Sequence, residues 1–429
     1  MNGEYQIFLR NRETGKRGDL FERYTSMDLT LNWGDLSKFT LKGKTTSGIE
    51  FEVGDGLVFY RNNEEMLCAE IEDISIDCKN VSANLIEWSA SGKEDSVVFS
   101  RRLVFPDPTD ITFLDSIVDK TGVKDEDTGE YGDDAYADNR QIYYIKRNMG
   151  SEALSSNPDR RIEGLTFPDD LSLGHGTQAE SAYRYKALDE VIKEIGKETD
   201  DEGNENNIYP KYYRNPMTGT KSIVIPRQRD MTGTVLLSPD FGNISAWSKS
   251  MKIPKCNAVW VCSGSYDGDE LDDDGKPKQV RRWIYMEDED SIARFGRIEK
   301  IVTKSDLKVV KDDEETDEDE TVTEEEVDEL LEKEGKQYLE ENAYKEKFTA
   351  TMVETPSLQF MVDWKLGDLV TCMIDGQKFP STIKTVEISY SNGLEKVKPT
   401  IGENEKGEFA ELFDKLYGLD RRMDTEEQN

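Results

Sequence analysis

The sequence contains few of the residues on which enzyme active sites depend. His175 is the sole histidine in 429 residues, so any Ser-His-Asp or Cys-His site would have to use it. Neither a GxSxG nucleophile elbow nor a zinc-binding HExxH pattern accompanies it. A histidine between Gly174 and Gly176 is typical of a structural loop. We therefore predict no catalytic residues and no enzymatic activity.

Cysteine is also scarce, and its spacing excludes the usual cysteine-based sites. No CxxC pair exists, and the number of cysteines is odd. We predict reduced thiols, mostly buried in strands, with no disulfide framework, no metal site and no cofactor. The five cysteines are Cys68, Cys78, Cys256, Cys262 and Cys372.

Long apolar runs are missing as well. The segment Gly56-Leu57-Val58-Phe59-Tyr60 is far shorter than the ~20 residues that a membrane-spanning helix needs. The first residues lack the apolar region of a secretory signal. We therefore expect no membrane segment and synthesis in a cytoplasm.

Positive charge is in deficit: 55 basic residues face 90 acidic ones, for a formal net charge of -35. Such a surface repels nucleic-acid phosphates and anionic lipid, so neither is expected as a stable partner. Hydrophobic residues make up 35% of the chain, which is enough for packed cores. The length suggests two to four domains.

Several short motifs resemble functional sites, but a simpler interpretation is stronger for each. Asp127-Thr128-Gly129 matches the aspartic-protease triplet, yet that chemistry needs two such carboxylates, and here one triplet lies in an acidic turn. Residues 267–275 resemble a calcium loop, but Arg281 stands where a bidentate Glu is required. A solvated hairpin tip fits better, with weak divalent binding left open. Arg17-Gly18-Asp19 is interpreted as a turn. No glycosidase carboxylate pair can be singled out among 90 acidic residues.

Hydrophobic periodicity predicts an α+β fold that is mainly β. Strands are expected at 27–31, 39–42, 66–76, 84–89, 221–225, 257–262 and 348–401. Helices are expected after Pro108 (Ile111, Leu114, Ile117 and Val118), at 136–148 with Ile142 and Ile145 inward, and at Leu188, Val191, Ile192 and Ile195.

A further helix is expected after the acidic segment, with Thr323 and Glu326 at capping-box spacing and Val327, Leu330 and Leu331 on one face. Eight of the nine residues 312–320 are acidic. We predict that 311–322 is flexible and that its deletion leaves the melting temperature nearly unchanged. A short helix is expected at 409–419.

An internal repeat is the most informative pattern. Residues 53–58 resemble 366–370, and each segment contains a Gly-Asp turn before an apolar strand. Downstream, 71–76 matches 383–388, and both copies space their apolar residues i, i+3 and then i, i+2. A β-bulge at the same place in both strands would explain this shared irregularity. We therefore predict two superposable small β-barrels, one including 53–76 and the other 366–388.

Taken in order, a set of segments spanning residues 25–402 resembles the siphovirus gene-product-37-like tail protein family, which is related to hub and tail-associated proteins at tail tips. The segments that carry the resemblance are Met27-Asp28-Leu29-Thr30-Leu31-Asn32-Trp33, Phe39-Thr40-Leu41, Gly92-Lys93-Glu94-Asp95-Ser96, Arg101-Arg102-Leu103-Val104-Phe105-Pro106-Asp107-Pro108, Tyr144-Ile145-Lys146-Arg147-Asn148, Arg160-Arg161-Ile162, Pro226-Arg227-Gln228-Arg229-Asp230, Leu236-Leu237-Ser238, Ala293-Arg294-Phe295-Gly296-Arg297-Ile298-Glu299 and Leu366-Gly367-Asp368-Leu369-Val370.

The resemblance implies a baseplate-hub-like fold with two tube-type β-barrels and inserted α+β domains. The expected division is a first barrel at 1–100, an α+β domain at 101–255, a second barrel at 256–402 with an acidic loop and helix inserted at 304–347, and a C-terminal helix and polar tail at 403–429. It also implies a homotrimer that closes a six-fold tail tube at the virion tail tip and gates DNA passage.

The partners implied are the distal tail ring protein, the tape-measure protein and tail-tip or receptor-binding proteins. An acidic channel would keep DNA from adhering to the wall. Because no large appendage follows the polar tail, we expect receptor binding and wall digestion to fall to partner proteins. Two alternatives from other classes are a tail-borne peptidoglycan hydrolase and a host-surface carbohydrate-binding adhesin. The adhesin should cluster exposed aromatic residues on loops, whereas Trp33, Trp88, Trp260, Trp283 and Trp364 lie in strand-like contexts.

Overall fold

A computed structural model gives the fold of the chain. It describes residues 4–402 apart from 82–84, 106–117, 126–127, 154–157, 201–204, 272–274, 306, 308, 310–322 and 375. The chain divides into two compact units, the larger comprising Met1–Trp247 with Thr349–Asn429 and the smaller comprising Ser248–Phe348. The predicted four-part division into barrels and inserted domains stays a prediction.

Strands dominate, with 45% of the described residues in strand and 19% in helix, which confirms the mainly β, α+β fold class. The strands are β1 (Tyr5–Arg10), β2 (Arg17–Leu20), β3 (Ser26–Asn32), β4 (Lys38–Thr45), β5 (Gly56–Arg61), β6 (Glu64–Asn80), β7 (Leu85–Glu94), β8 (Asp119–Thr121), β9 (Leu165–Thr166), β10 (Ser181–Tyr183), β11 (Lys211–Arg214), β12 (Lys221–Val224), β13 (Leu236–Leu237), β14 (Ile244–Lys252), β15 (Ala258–Ser263), β16 (Tyr266–Leu271), β17 (Pro277–Val280), β18 (Trp283–Glu287), β19 (Glu299–Lys304), β20 (Lys345–Met352), β21 (Leu369–Ile374), β22 (Gln377–Ser391) and β23 (Leu394–Gly402).

The helices are α1 (Ala137–Met149), α2 (Leu188–Lys197), α3 (Glu289–Phe295) and α4 (Glu324–Glu341), with short 3-10 turns at Asp95–Arg101, Asp133–Ala135, Pro158–Arg160, Asp170–Ser172 and Pro239–Phe241. The predictions for α1, α2 and the start of α4 are confirmed, since Ile142 and Ile145 are buried and Thr323 forms the expected capping box with Glu326. Val327 and Leu331 of α4 are buried, whereas Leu330 is 42% exposed. Most of the helix predicted after Pro108 lies outside the described residues. The helix predicted at 409–419 lies entirely outside them.

A 13-stranded sheet organises the larger unit. Its main path runs β14-β20-β23-β22-β3-β4-β7-β6-β5-β1-β2, and β21 pairs with both β22 and β13. Alternation of apolar and polar residues along β3 and β4 buries one face, which includes Met27, Leu29 and Leu41. The path has two ends, so the described strands form no closed barrel. The reason is that the outer edge of β3 pairs with β22, which joins the two predicted barrels in one open sheet.

A helical core lies in the same unit. It packs α1 against α2, with Tyr144, Ile145, Val191 and Ile195 at the centre. The sheets β8-β10 and β9-β12-β11 also belong to this unit. Helices and short sheets therefore occur together in the described parts of residues 101–225.

The smaller unit is a three-stranded sheet in the order β18-β15-β19, with α4 packed on one face, and a separate hairpin of β16 and β17. Its core contains Val259, Val261, Val327 and Leu331. Trp260 and Trp283 lie on the other face of this sheet and are 40% and 49% exposed.

Candidate assembly surface

The large sheet contains the same five-strand arrangement twice. We call β3-β4-β7-β6-β5 the first repeat and β14-β20-β23-β22-β21 the second repeat, each written in its spatial order. In both repeats the last three strands along the chain form a meander (β5-β6-β7 and β21-β22-β23), and the two earlier strands extend it on one side. The internal repeat predicted from the sequence is therefore present as a repeat of strand order.

In the first repeat, the Gly-Asp turn is fastened to the long strand by two backbone hydrogen bonds. Gly54 N–H donates to the Ile71 carbonyl at 2.9 Å, and Ile71 N–H donates to the Asp55 carbonyl at 2.9 Å. Immediately after this point the register between β6 and β7 shifts between Ile71 and Asp73. Gly54 has a φ of +92°, which a residue with a Cβ adopts only with strain.

The Gly-Asp turn of the second repeat has the same two backbone hydrogen bonds. Gly367 N–H donates to the Ile383 carbonyl at 2.9 Å, and Ile383 N–H donates to the Asp368 carbonyl at 3.0 Å. The register between β22 and β23 shifts between Ile383 and Thr385, and Gly367 has a φ of +87°. The prediction of one bulge at the same place in both strands is therefore confirmed.

The two turns differ in the surroundings of the aspartate. The Asp368 carboxylate is 1% exposed and accepts bonds from Arg229 Nε and Nη2 at 2.8 and 2.6 Å. In the first repeat, the Asp55 carboxylate accepts the Glu52 N–H at 2.9 Å and is only partly buried. The turn is shared, whereas the two hydrogen bonds from Arg229 to the aspartate carboxylate are a feature of the second repeat.

One seam joins the repeats within the chain. Strand β3 of the first repeat pairs antiparallel with the part of β22 that follows the bulge, from Thr385 opposite Asn32 to Ser391 opposite Ser26. This pairing covers the apolar residues after the bulge, because Val386 and Ile388 are fully buried.

The equivalent positions on β14 and on β6 have no such neighbour among the described strands. Strand β14, the counterpart of β3, ends the strand order. The part of β6 from Asp73 to Asn80, the counterpart of Thr385–Ser391, has β7 on one side and no strand of the described chain on the other. Ile76, the counterpart of Ile388, is 54% exposed.

A buried ionic cluster also connects the two repeats. Arg61 at the end of β5 donates to Glu395 of β23 at 2.9 Å, to Glu354 at 3.1 Å and to the Phe360 carbonyl at 2.7 Å. The Arg61 and Glu395 side chains are each 3% exposed. The Tyr5 hydroxyl also bonds to Glu395, and burial together with this carboxylate raises the pKa of Tyr5. Neither hydropathy nor motif inspection indicated this cluster, since its members are hundreds of residues apart.

The bare polar face of the sheet does not share the acidic excess of the chain. On β3, β4, β7, β22 and β23 it carries six lysines and three acidic residues, and β6 adds four more acidic residues, so six positive charges face seven negative ones. The residues are Lys38, Lys42, Lys44, Lys93, Lys396, Lys398, Asp28, Glu87 and Glu387, with Glu70, Glu72, Asp73 and Asp77 on β6. The expectation of an acidic channel wall is therefore not supported for this face.

His175 has a structural role in the described chain. Its ring Nδ1 lies 3.2 Å from Asp138 Oδ2, and the buried Asp138 carboxylate also accepts backbone N–H groups from Gly174 and His175 at 3.1 and 2.9 Å. Arg227 Nη2 approaches the same carboxylate at 3.0 Å. These bonds fasten a loop to the first turn of α1, and no hydroxyl or thiol bonds to the ring in this region.

The remaining short motifs lie apart from one another. Asp125 accepts the Thr128 N–H at 2.8 Å, which makes a turn, while Asp127 is outside the described residues. Hairpin β16-β17 spans the calcium-like segment, whose tip at 272–274 is also outside them, and Lys278 pairs with Glu270 at 2.9 Å. Arg17–Leu20 forms strand β2 and not a turn. No cluster of three metal-ligand side chains occurs in the described residues.

All five cysteines are free thiols, and four of them are buried, as predicted. Cys78 is the exception, and it lies on the uncovered part of β6. No helix within the described ranges is long and apolar enough to cross a membrane.

A sequence model of the family described as "Siphovirus ReqiPepy6 Gp37-like protein" matches residues 142–403. The chain belongs to that family. This confirms the resemblance found from the ordered sequence segments. No curated protein matches the chain.

Solved structures similar to this Gp37-like chain include three tail proteins. The 43 kDa tail protein of prophage MuSo2 from Shewanella oneidensis has a TM-score of 0.49 at 12% identity, covering 92% of this chain and 98% of that one. A tail protein from Neisseria meningitidis MC58 has a TM-score of 0.47 at 11% identity, covering 93% and 97%. Prophage tail protein gp18 from Listeria monocytogenes EGD-e has a TM-score of 0.44 at 10% identity, covering 97% and 99%.

Proposed function

We propose that this Gp37-like protein is a structural hub of a phage or phage-tail-like particle, located at the tail tip, where it closes the six-fold tail tube and gates DNA passage. The observation that carries the proposal is the duplication of one five-strand arrangement, with its turn and bulge, in a single chain. Three chains with two repeats each supply six equivalent strand sets, and six sets match a six-fold tube.

The edges of the sheet support this assembly. Among the described strands, β14 lies at one end of the sheet and the Asp73–Asn80 part of β6 has a neighbour on one side only, and unprotected edges invite pairing with another chain. A contact between two different surfaces repeats head to tail and closes into a ring when the rotation permits. The proposed homotrimer would carry the distal tail ring protein and the tape-measure protein on one side and tail-tip or receptor-binding proteins on the other.

DNA would pass through the ring without stable binding. In the proposed ring the polar face of the large sheet would turn inward. That face is close to electroneutral, so phosphates crossing it would meet neither strong repulsion nor strong retention. The protein would be made in the cytoplasm of the host bacterium and reside in the virion tail.

The test is the mass of the purified full chain in solution, measured by light scattering. We expect about three times 49.0 kDa. A monomer at concentrations up to about 100 µM, where most specific interfaces are occupied, would overturn the trimeric hub.

No enzymatic role is proposed, because His175 contacts Asp138 and no hydroxyl or thiol within the described part of the chain bonds to its ring. Zymography on host cell walls with the wild-type chain and His175→Ala checks this. We expect no clearing from either protein. Clearing that depends on His175 or on a carboxylate would favour the peptidoglycan hydrolase instead.

A further inference from the structure

The internal seam between β3 and β22 is a template for a second seam that a single chain leaves open. In both repeats the bulge fixes the numbering of equivalent residues, so Asp73 corresponds to Thr385 and Ser91 to Thr400. Thr40 lies opposite Ser91, and Thr351 lies opposite Thr400. Thr40 and Thr351 are therefore equivalent positions on β4 and β20.

Strand β14 can be aligned with β3 from this point. Asp28 of β3 lies opposite Thr40. On the second repeat, the Ser245 hydroxyl donates to the Thr351 carbonyl at 3.3 Å, and Val353 N–H donates to the Asn243 carbonyl at 3.0 Å. These bonds place Ser245 opposite Thr351, so Ser245 corresponds to Asp28.

Burial supports the alignment. Ile244 then corresponds to Met27, and both are buried on the core side of the sheet. Ala246 corresponds to Leu29, which is 2% exposed, yet Ala246 itself is exposed. The difference is expected if the strand that covers Leu29 has a counterpart only in another chain.

The register of the internal seam transfers directly to the open edges. Within the chain, Met27 lies opposite Tyr390, Leu29 opposite Ile388 and Thr30 opposite Glu387. The equivalent residues on β6 are Cys78, Ile76 and Ser75. The transferred pairs are Ile244 with Cys78, Ala246 with Ile76, and Trp247 with Ser75.

We propose that β14 of one chain pairs antiparallel with the Asp73–Asn80 part of β6 in a second copy, in this register. This inference rests on the proposed function, because it supplies the interface by which three copies would close a ring. The pairing covers Ile76 and Ala246 on the core side and satisfies the backbone groups of both edges. A shift of one residue would instead place Ser245 or Trp247, whose side chains point to the polar face, opposite Ile76, whose side chain points to the core side, which disfavours any neighbouring register.

Disulfide trapping tests both the interface and its register. The full chain first receives Cys78→Ser, which removes the native thiol from this edge. Trp247→Cys is then combined with Ser75→Cys. Both positions are exposed, lie on the polar face and are opposite each other in the proposed pairing. Residues directly opposite in an antiparallel pair bring their Cβ atoms within disulfide reach. The matched control combines Trp247→Cys with Ile76→Cys, one position along and on the other face.

The expected result after mild oxidation is covalent dimer and trimer on a non-reducing gel, with a crosslinked fraction about ten-fold above the control. Chains carrying Trp247→Cys alone should not crosslink with one another, and mixing them with Ser75→Cys chains should give a covalent heterodimer. A second pair, Ile244→Cys with the native Cys78, probes the same register from the core side if the first pair perturbs folding.

The outcomes separate this inference from the proposed function. A trimer by light scattering that gives no in-register crosslink from either pair overturns the β14–β6 interface and leaves the hub intact. In-register crosslinking that yields an open-ended ladder without a discrete trimer supports the interface and overturns the three-chain closure. Homodimers from Trp247→Cys alone would show a symmetric contact and overturn the inference.

Discussion

The two repeats have the same turn and the same bulge but differ in what covers the residues after the bulge. In the second repeat Val386 and Ile388 are fully buried, while in the first repeat Ile76 is 54% exposed. The difference arises because β3 lies against β22 and no described strand lies against the same part of β6. Burial of an apolar strand residue is therefore decided by its neighbour strand as much as by its own sequence.

The largest effect is expected at the ionic cluster that connects the repeats. Arg61→Met removes the cation from Glu395, whose side chain is 3% exposed, and leaves that buried carboxylate with the Tyr5 hydroxyl but without its positive charge. We expect a loss of about 4 kcal/mol in the free energy of unfolding. Urea unfolding followed by circular dichroism measures it.

An exposed ion pair between the same two repeats provides the control. Lys365 and Glu64 are 3.2 Å apart, and their side chains are 45% and 52% exposed. Lys365→Met should change the free energy of unfolding by less than about 0.5 kcal/mol. Equal losses from the two variants would show that the buried Arg61 cluster stabilises the fold no more than the exposed Lys365–Glu64 ion pair does.

The equivalent glycines sharpen the comparison at a smaller scale. A Cβ on Gly367 would lie 2.1 Å from the Trp33 ring, whereas a Cβ on Gly54 would lie 3.1 Å from the flexible end of Arg12. Both positions have a positive φ, so Ala at either position costs about 1 kcal/mol from backbone strain. Gly367→Ala should lose about 2 kcal/mol more through overpacking. Thermal and urea unfolding of both variants measure the difference, and equal losses would contradict it.

The sequence predicted the repeat because its signal is local. The Gly-Asp turns and the irregular spacing of Ile71, Ile74 and Ile76 lie within short segments, and a bulge leaves a trace in hydrophobic periodicity. The helices α1 and α2 were predictable for the same reason, since an amphipathic stripe is visible in ten residues.

The joining of the repeats was not predictable from the residues. Two closed barrels and one open sheet need the same alternation in β3, and only the partner of its outer edge differs. The sequence did not indicate that β14 is an edge strand equivalent to β3, because Ser245, Ala246 and Trp247 do not alternate between apolar and polar residues as a half-buried strand does. The Arg61 cluster joins residues 334 positions apart, a separation that no periodicity records.

The smallest expected effect is a change in the free energy of unfolding as the pH rises, and it compares one thiol in each repeat. Cys372 on β21 of the second repeat is fully buried, and burial raises the pKa of its thiol to about 12 from an ordinary value of 9.0. The folded chain thus holds this proton more tightly than the unfolded chain does. The resulting stability is complete below pH 9 and is lost as the pH rises toward 12.

At pH 10 the unfolded thiol is ionised and the folded one is not, so this cysteine should cost the fold about 1.4 kcal/mol relative to pH 7. Cys372→Val removes the titrating group while keeping an apolar side chain. Between pH 7 and pH 10, the free energy of unfolding of this variant should therefore fall by about 1.4 kcal/mol less than that of the wild-type chain. Cys78→Val, which removes the exposed thiol of the first repeat, is the matched control for the loss of a thiol. Buried tyrosines such as Tyr144, whose pKa is also raised by burial, add to the alkaline loss in every variant and cancel in the difference. Urea unfolding of the three proteins at both pH values gives the comparison, and an equal fall for Cys372→Val and wild type would show that the thiol ionises in the folded chain.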